Sequence, residues 1–159
     1  MMKARKEGKL ILILLVIITV FSGCSGKDDT ADMTEIDISS LGSELLEQVE
    51  FEDELNLVDD AMVKKLYHIE EFIKAQVYIG SGATAEEIAI FEFDSGEAAA
   101  EGLKAAEDRL EEQKENFASY VPKELQKLDN AVVKQVGNYL VVCVSNGDEA
   151  EKIIKSYIK

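Results

Sequence analysis

A Ser–His–Asp or Cys–His catalytic site in this chain would have to use His68, the one histidine in 159 residues. An imidazole activates a serine or cysteine only when both share a site, and no G-x-S-x-G or comparable nucleophile motif accompanies it. His68 follows a segment with an apolar stripe, so it reads as a helix terminus. Glu50, Glu52, Asp53, Glu54, Asp59 and Asp60 could attract calcium. They lack the alternating acidic spacing and the turning glycine of an EF-hand loop, so a solvated acidic connection accounts for them better. No Cys/His cluster has zinc-ligand spacing. The sequence therefore predicts no catalytic residues, no metal and no cofactor.

Two patterns could instead contact a ligand. Gly80-Ser81-Gly82-Ala83-Thr84 looks superficially like a phosphate loop, but it leads into a strand and carries no lysine. It reads as a hairpin connection from which Gly82 and Thr84 could meet a ligand. Arg109, Gln113, Phe117 and Tyr120 follow one another at spacings of 4, 4 and 3 and share a helix face. Arg109, Gln113 and Tyr120 are candidates to line a shallow polar site. The alternative is a brace, with polar heads bordering an apolar stripe.

Sulfur supplies the most specific signal. Lys3, Arg5, Lys6 and Lys9 precede an apolar stretch from Leu10 to Phe21. Twelve helical residues rise only about 18 Å, short of the roughly 30 Å hydrocarbon core, which fits the h-region of a signal peptide. Phe21-Ser22-Gly23-Cys24 resembles a bacterial lipobox, with Phe21 where leucine is usual. Cleavage before Cys24 and diacylglycerol on its sulfur are expected, since two or more acyl chains anchor durably at about 0.8 kcal/mol per buried CH₂. The expected organisation is a signal peptide over residues 1–23, a polar tether over 24–38 and one domain over 39–159. Such a tether spans on the order of 20 Å. With Cys24 lipidated, Cys143 has no disulfide partner in the chain. Set in Val141-Val142-Cys143-Val144, it reads as a small hydrophobe on a strand.

Charge narrows the partners. The full chain carries −15. Loss of the leader, with four basic residues and Glu7, takes this to −18. That sign disfavours nucleic acid and close approach to anionic lipid.

The elements that must position these residues follow from periodicity. Leu41, Leu45, Leu46 and Val49 recur at helical spacing, with Ser39 or Ser40 as cap. Met62, Val63, Leu66 and Tyr67 mark a second short helix. Strands around Val77–Ile79 and Ile88–Phe93 form a hairpin across the glycine-rich loop. A long helix carries Leu103, Ala106, Leu110, Phe117 and Tyr120 and stops near Tyr120, because Pro122 disfavours helical geometry at Val121. Strands Val132–Val136 and Tyr139–Val144 flank the tight-turn pair Gly137-Asn138. Asn146 and Glu149 then open a last helix, with Ala150, Ile153, Ile154, Tyr157 and Ile158 on its apolar face. At an offset of 51 residues, Ala89, Phe91, Phe93, Gly96, Ala99 and Leu103 fall on Leu140, Val142, Val144, Gly147, Ala150 and Ile154. The expected fold is α+β: two helices, then a ββα–ββα pseudo-repeat forming a four-stranded antiparallel sheet with helices on one face.

From about Leu57 to Lys159 the chain resembles the bacterial-lipoprotein domain-of-unknown-function family 4358. The resemblance rests on Ala85-Glu86-Glu87-Ile88-Ala89-Ile90-Phe91, on Arg109, Gln113, Phe117, Tyr120 and Pro122, and on Asn130-Ala131-Val132 and Gly137-Asn138-Tyr139. It implies a lipoprotein on a Gram-positive cell surface and supplies no catalytic residues. The expected function is a non-enzymatic binding or interaction domain, held by lipid on Cys24 at the outer face of the cytoplasmic membrane. Its partner would be a protein, glycan or small molecule. The alternative is an enzyme or enzyme accessory acting on envelope material, which would need a deep cleft gathering Arg109, Tyr120, His68 and carboxylates. A third reading, a spacer or assembly factor, would need a broad exposed apolar patch.

Overall fold

A computed structural model describes residues 35–158 of the chain. The leader, Cys24 and the first part of the expected tether lie outside the described residues. Five strands form one antiparallel sheet in the order β1-β2-β3-β5-β4: β1 Asn56–Leu57, β2 Lys74–Ile79, β3 Glu87–Glu92, β4 Val132–Val136 and β5 Tyr139–Val144. Helices α1 (Ile38–Gln48), α2 (Asp60–Tyr67), α3 (Gly96–Tyr120), α4 (Leu125–Asp129) and α5 (Glu149–Tyr157) complete the fold, with a 3₁₀ turn at Pro122–Glu124 leading into α4.

The four anticipated strands are present. The fifth, β1, arises within the segment read as a plain acidic connection. Its two residues, Asn56 and Leu57, pair with Ile79 and Tyr78 of β2. Two exposed residues carry no strand periodicity, so their extended form comes from the available β2 edge.

Helices cover both faces of the sheet, correcting the expectation of one. Residues of one parity (Val77, Ala89, Phe91, Leu140, Val142 and Val144) pack with α2, α3 and α4. The other parity (Tyr78, Ile88, Ile90, Tyr139, Val141 and Cys143) packs with α1 and α5. The physical reason lies in β3 and β5, which are apolar at both parities and would leave a greasy face in water if only one side were covered. Each large side chain removed from water there contributes about 1.5–3 kcal/mol. The pseudo-repeat consequently stops at the strands: Ala99 of α3 and Ala150 of α5 occupy opposite layers.

Helix termini differ from the sequence reading in two places. Asp37, and neither serine, caps α1 by accepting the N–H groups of Ser39 and Ser40 at 3.0 and 3.2 Å. Ile36 and Ile38 are buried, so the packed domain reaches back into the segment assigned to the tether. Asn146 does not cap α5; its side chain donates to Glu52 Oε1 at 3.4 Å, and Asp148 holds the cap position without a side-chain capping bond. The long helix ends at Tyr120 as expected, and Val121 leaves the helical region before Pro122.

One close approach seats α3. A β-carbon on Gly102 would lie 2.3 Å from the ring of Phe93, so glycine lets the helix settle directly on the aromatic cluster. In that cluster Phe91 stacks with Phe93 at 5.7 Å and meets Tyr67 edge-on at 5.0 Å.

Candidate functional site

Arg109 and Gln113 do come together, one turn apart on α3, but they close on a carboxylate of the chain itself. Arg109 Nε donates to Glu87 Oε1 at 3.0 Å, its terminal nitrogen forms a short ion pair with Glu87 Oε2, and Gln113 Nε2 donates to the same oxygen at 3.2 Å. The Tyr67 hydroxyl donates to Glu87 Oε1, and the Arg109 guanidinium lies 5.1 Å from the Tyr67 ring centroid. Burial, reinforced by the Glu87 charge, pushes the Tyr67 hydroxyl well above its ordinary range. Burial alone would lower Arg109, yet Glu87 outweighs it and holds the guanidinium charged. Glu87 is 3 % exposed. A buried carboxylate so enclosed is a structural anchor tying α2 and α3 to the start of β3. Tyr120 takes no part: it is 76 % exposed at the end of α3.

The adjacent Glu86 turns to a different cation. Lys127 Nζ meets Glu86 Oε1 at 2.9 Å, Glu124 Oε2 at 3.1 Å and Glu52 Oε1 at 2.9 Å. Glu86 also accepts the backbone N–H groups of Glu52 and Asp53, while Glu124 accepts that of Ala85 at 3.0 Å. Glu124 is fully buried and Lys127 is 4 % exposed. Burial opposes the charge on Lys127, but its three carboxylates outweigh that and raise its pKa. Hydrogen bonds from Lys127 and then Lys123 hold Glu52 at about 2. The clamp fastens the acidic connection and α4 to the entrance of β3.

Thr84 belongs to the same scaffold, its hydroxyl donating to Glu86 Oε2 at 3.2 Å. Gly82 sits at the loop tip with φ +89° and open space around it. Asp53 secures that loop by accepting the backbone N–H and hydroxyl of Ser81 at 2.7 and 2.6 Å. Cys143 is buried, and burial pushes its thiol up to about 12, which matches a strand hydrophobe and disfavours the thiolate.

Open space lies elsewhere, in a cleft of about 700 Å³ between the α2–β2 connection and the first half of α3. His68 lines it and ends α2 in the left-handed conformation, φ 54°, which histidine tolerates better than most residues. Phe72, Ile73 and Phe93 supply apolar surface, and Glu70, Glu71, Asp94 and Glu101 supply charge. Arg109 and Tyr120 are not among its lining residues, so this cleft gathers His68 with carboxylates but without those two side chains. Among the described residues no group of three His, Cys, Asp or Glu side chains is placed to hold a metal ion.

Sequence reasoning missed Glu86, Glu87, Glu124 and Lys127 as buried groups. The available signal was a pair of glutamates abutting the apolar run Ile88–Phe91, whose burial takes the strand start out of water and so demands partners for both carboxylates.

The described residues thus form an α+β domain with helices on both faces of an antiparallel sheet, and an acidic cleft opens beside the first half of α3. The chain belongs to the family described as Domain of unknown function (DUF4358), which matches residues 47–145. The match runs from the last turn of α1 to the end of β5 and contains the whole sheet and the cleft. No curated protein and no solved structure matches the chain.

Proposed function

We propose that the protein is a non-enzymatic binding module, held by lipid on Cys24 at the outer face of the cytoplasmic membrane, on a Gram-positive cell surface. One observation carries the binding reading. The buried ionisable side chains of the β3 entrance are spent on the two internal braces, whereas the charged side chains around the cleft enter no ion pair among the described residues. A catalytic group is usually poised beside open space with its hydrogen-bonding capacity unspent; here burial and commitment go together. The basic leader, short apolar stretch and Cys24 support the anchor.

Metabolic labelling with an alkyne fatty acid tests the anchor. Label should appear on the wild-type chain and vanish in Cys24→Ser, and equal labelling of both would refute it. Cross-linking from the cleft on intact cells tests the binding reading, and recovery of no specific protein, glycan or small ligand would count against it.

A further inference from the structure

The cleft has a definite chemical character. Ile73 is 61 % exposed although its backbone N–H is tied to Glu92 O at 2.8 Å. The sheet thus holds a large apolar side chain in water at a fixed position, where solvation costs about 25 cal/mol for each Å² that a partner could cover. Phe72 lies beside it, and Lys64 Nζ sits 5.8 Å from the Phe72 ring centroid, so this aromatic face already accepts a cation from within the chain. Around this apolar surface stand Glu70, Glu71, Asp94 and Glu101, all exposed. None is in an ion pair among the described residues. Among the described residues Lys64 is the only lysine or arginine lining the cleft, so this rim carries a clear negative excess.

We propose that this cleft docks a basic, apolar-flanked peptide segment of a partner protein. Lysine or arginine heads would meet the four rim carboxylates while neighbouring apolar side chains cover Ile73 and Phe72. The proposal rests on the binding-module reading and gives that module a partner chemistry. Nucleic acid and anionic lipid carry the sign that the rim repels. Charge complementarity and an ordered apolar surface together favour a peptide that offers both.

The test uses the full-length chain in non-ionic detergent and a short fluorescein-labelled peptide of alternating lysine and leucine, read by fluorescence anisotropy. Saturable binding is expected, weakened at least about tenfold by Asp94→Lys with Glu101→Lys. Ile73→Ser should weaken it about threefold, in proportion to the apolar area lost. The matched reversal Glu47→Lys with Glu50→Lys, on α1 and the residues after it, should change affinity by less than about twofold. All these positions are exposed, and thermal melting verifies that each variant folds. No saturable binding, or equal losses from both charge reversals, overturns the proposal. Equal binding of a glutamate–leucine peptide overturns it too. Cleft cross-linking that still recovers a specific partner would then preserve the binding-module reading and remove only the basic-peptide chemistry.

Discussion

Replacing Lys127 with methionine removes one cation from between two buried carboxylates and a third that is half exposed. Methionine fills much of the same volume, so the loss is chiefly electrostatic. Breaking a buried pair by deleting one partner costs about 3–5 kcal/mol, because the surviving charge keeps its desolvation penalty. The lower end applies here, about 3 kcal/mol, since Glu86 retains two backbone donors and Thr84. That is a large share of the 5–15 kcal/mol available to a domain of this size and lowers Tm by about 10 °C. Urea unfolding followed by circular dichroism should show a lower midpoint at pH 7 with an unchanged slope. The pH profile adds a second readout. Glu52 is held at about 2, so its contribution is present above the ordinary carboxylate range and is lost as pH falls toward 2. Lys127 is raised, so its contribution is present below about 10.4, the ordinary lysine value, and is lost as pH rises through the folded value. Lys127→Met should flatten both limbs. Adding Glu124→Gln should recover part of the loss, because fewer buried charges then lack a counter-ion. A single-variant cost below about 1 kcal/mol, with both limbs unchanged, would refute the clamp as a buried network.

Three further outcomes follow from the same geometry. Arg109→Gln should destabilise the domain by about 2–3 kcal/mol in chemical denaturation yet leave peptide affinity at the cleft unchanged; a stable variant with lost binding would make Arg109 a ligand contact instead of a brace. Gly102→Ala should cost about 1–2 kcal/mol, since its β-carbon meets Phe93 at 2.3 Å and the overpacking exceeds the roughly 1 kcal/mol gained in helix propensity; a higher denaturation midpoint would contradict the close approach. In a Cys24→Ser background, Cys143 should react with a thiol reagent at pH 8 only at the rate of unfolding, and rapid labelling of the folded chain would show an accessible thiolate.

Strands and turns were readable because their causes are local. The strand around Val77–Ile79 follows from apolar alternation, that around Ile88–Phe93 from an apolar run, and the Gly137-Asn138 hairpin from a glycine free to take φ 56°. Pro122 set the end of α3 through its neighbour's backbone. The two-faced sheet was latent in the unbroken apolar runs of β3 and β5, which were read as one-sided strands. The candidate ligand residues fared differently. Arg109 and Gln113 did share a face and did converge, but on Glu87 (22 residues earlier than Arg109), and periodicity within α3 says nothing about what stands opposite. Tyr120 fitted the same stripe and ended in solvent, because a shared helix face does not record whether anything packs against it.

By itself, the order of residues determined four of the five strands, the long helix and its end, the acidic charge and the family resemblance, which are written in composition and in neighbours along the chain. Only the tertiary structure decided which of two consecutive glutamates meets Arg109 and which meets Lys127, that α3 and α5 lie on opposite faces, and that His68, Ile73 and Asp94 border one cleft. Those outcomes turn on long-range packing: burial forces each charge to find a partner wherever the fold brings one near, and no spacing along the chain records that distance.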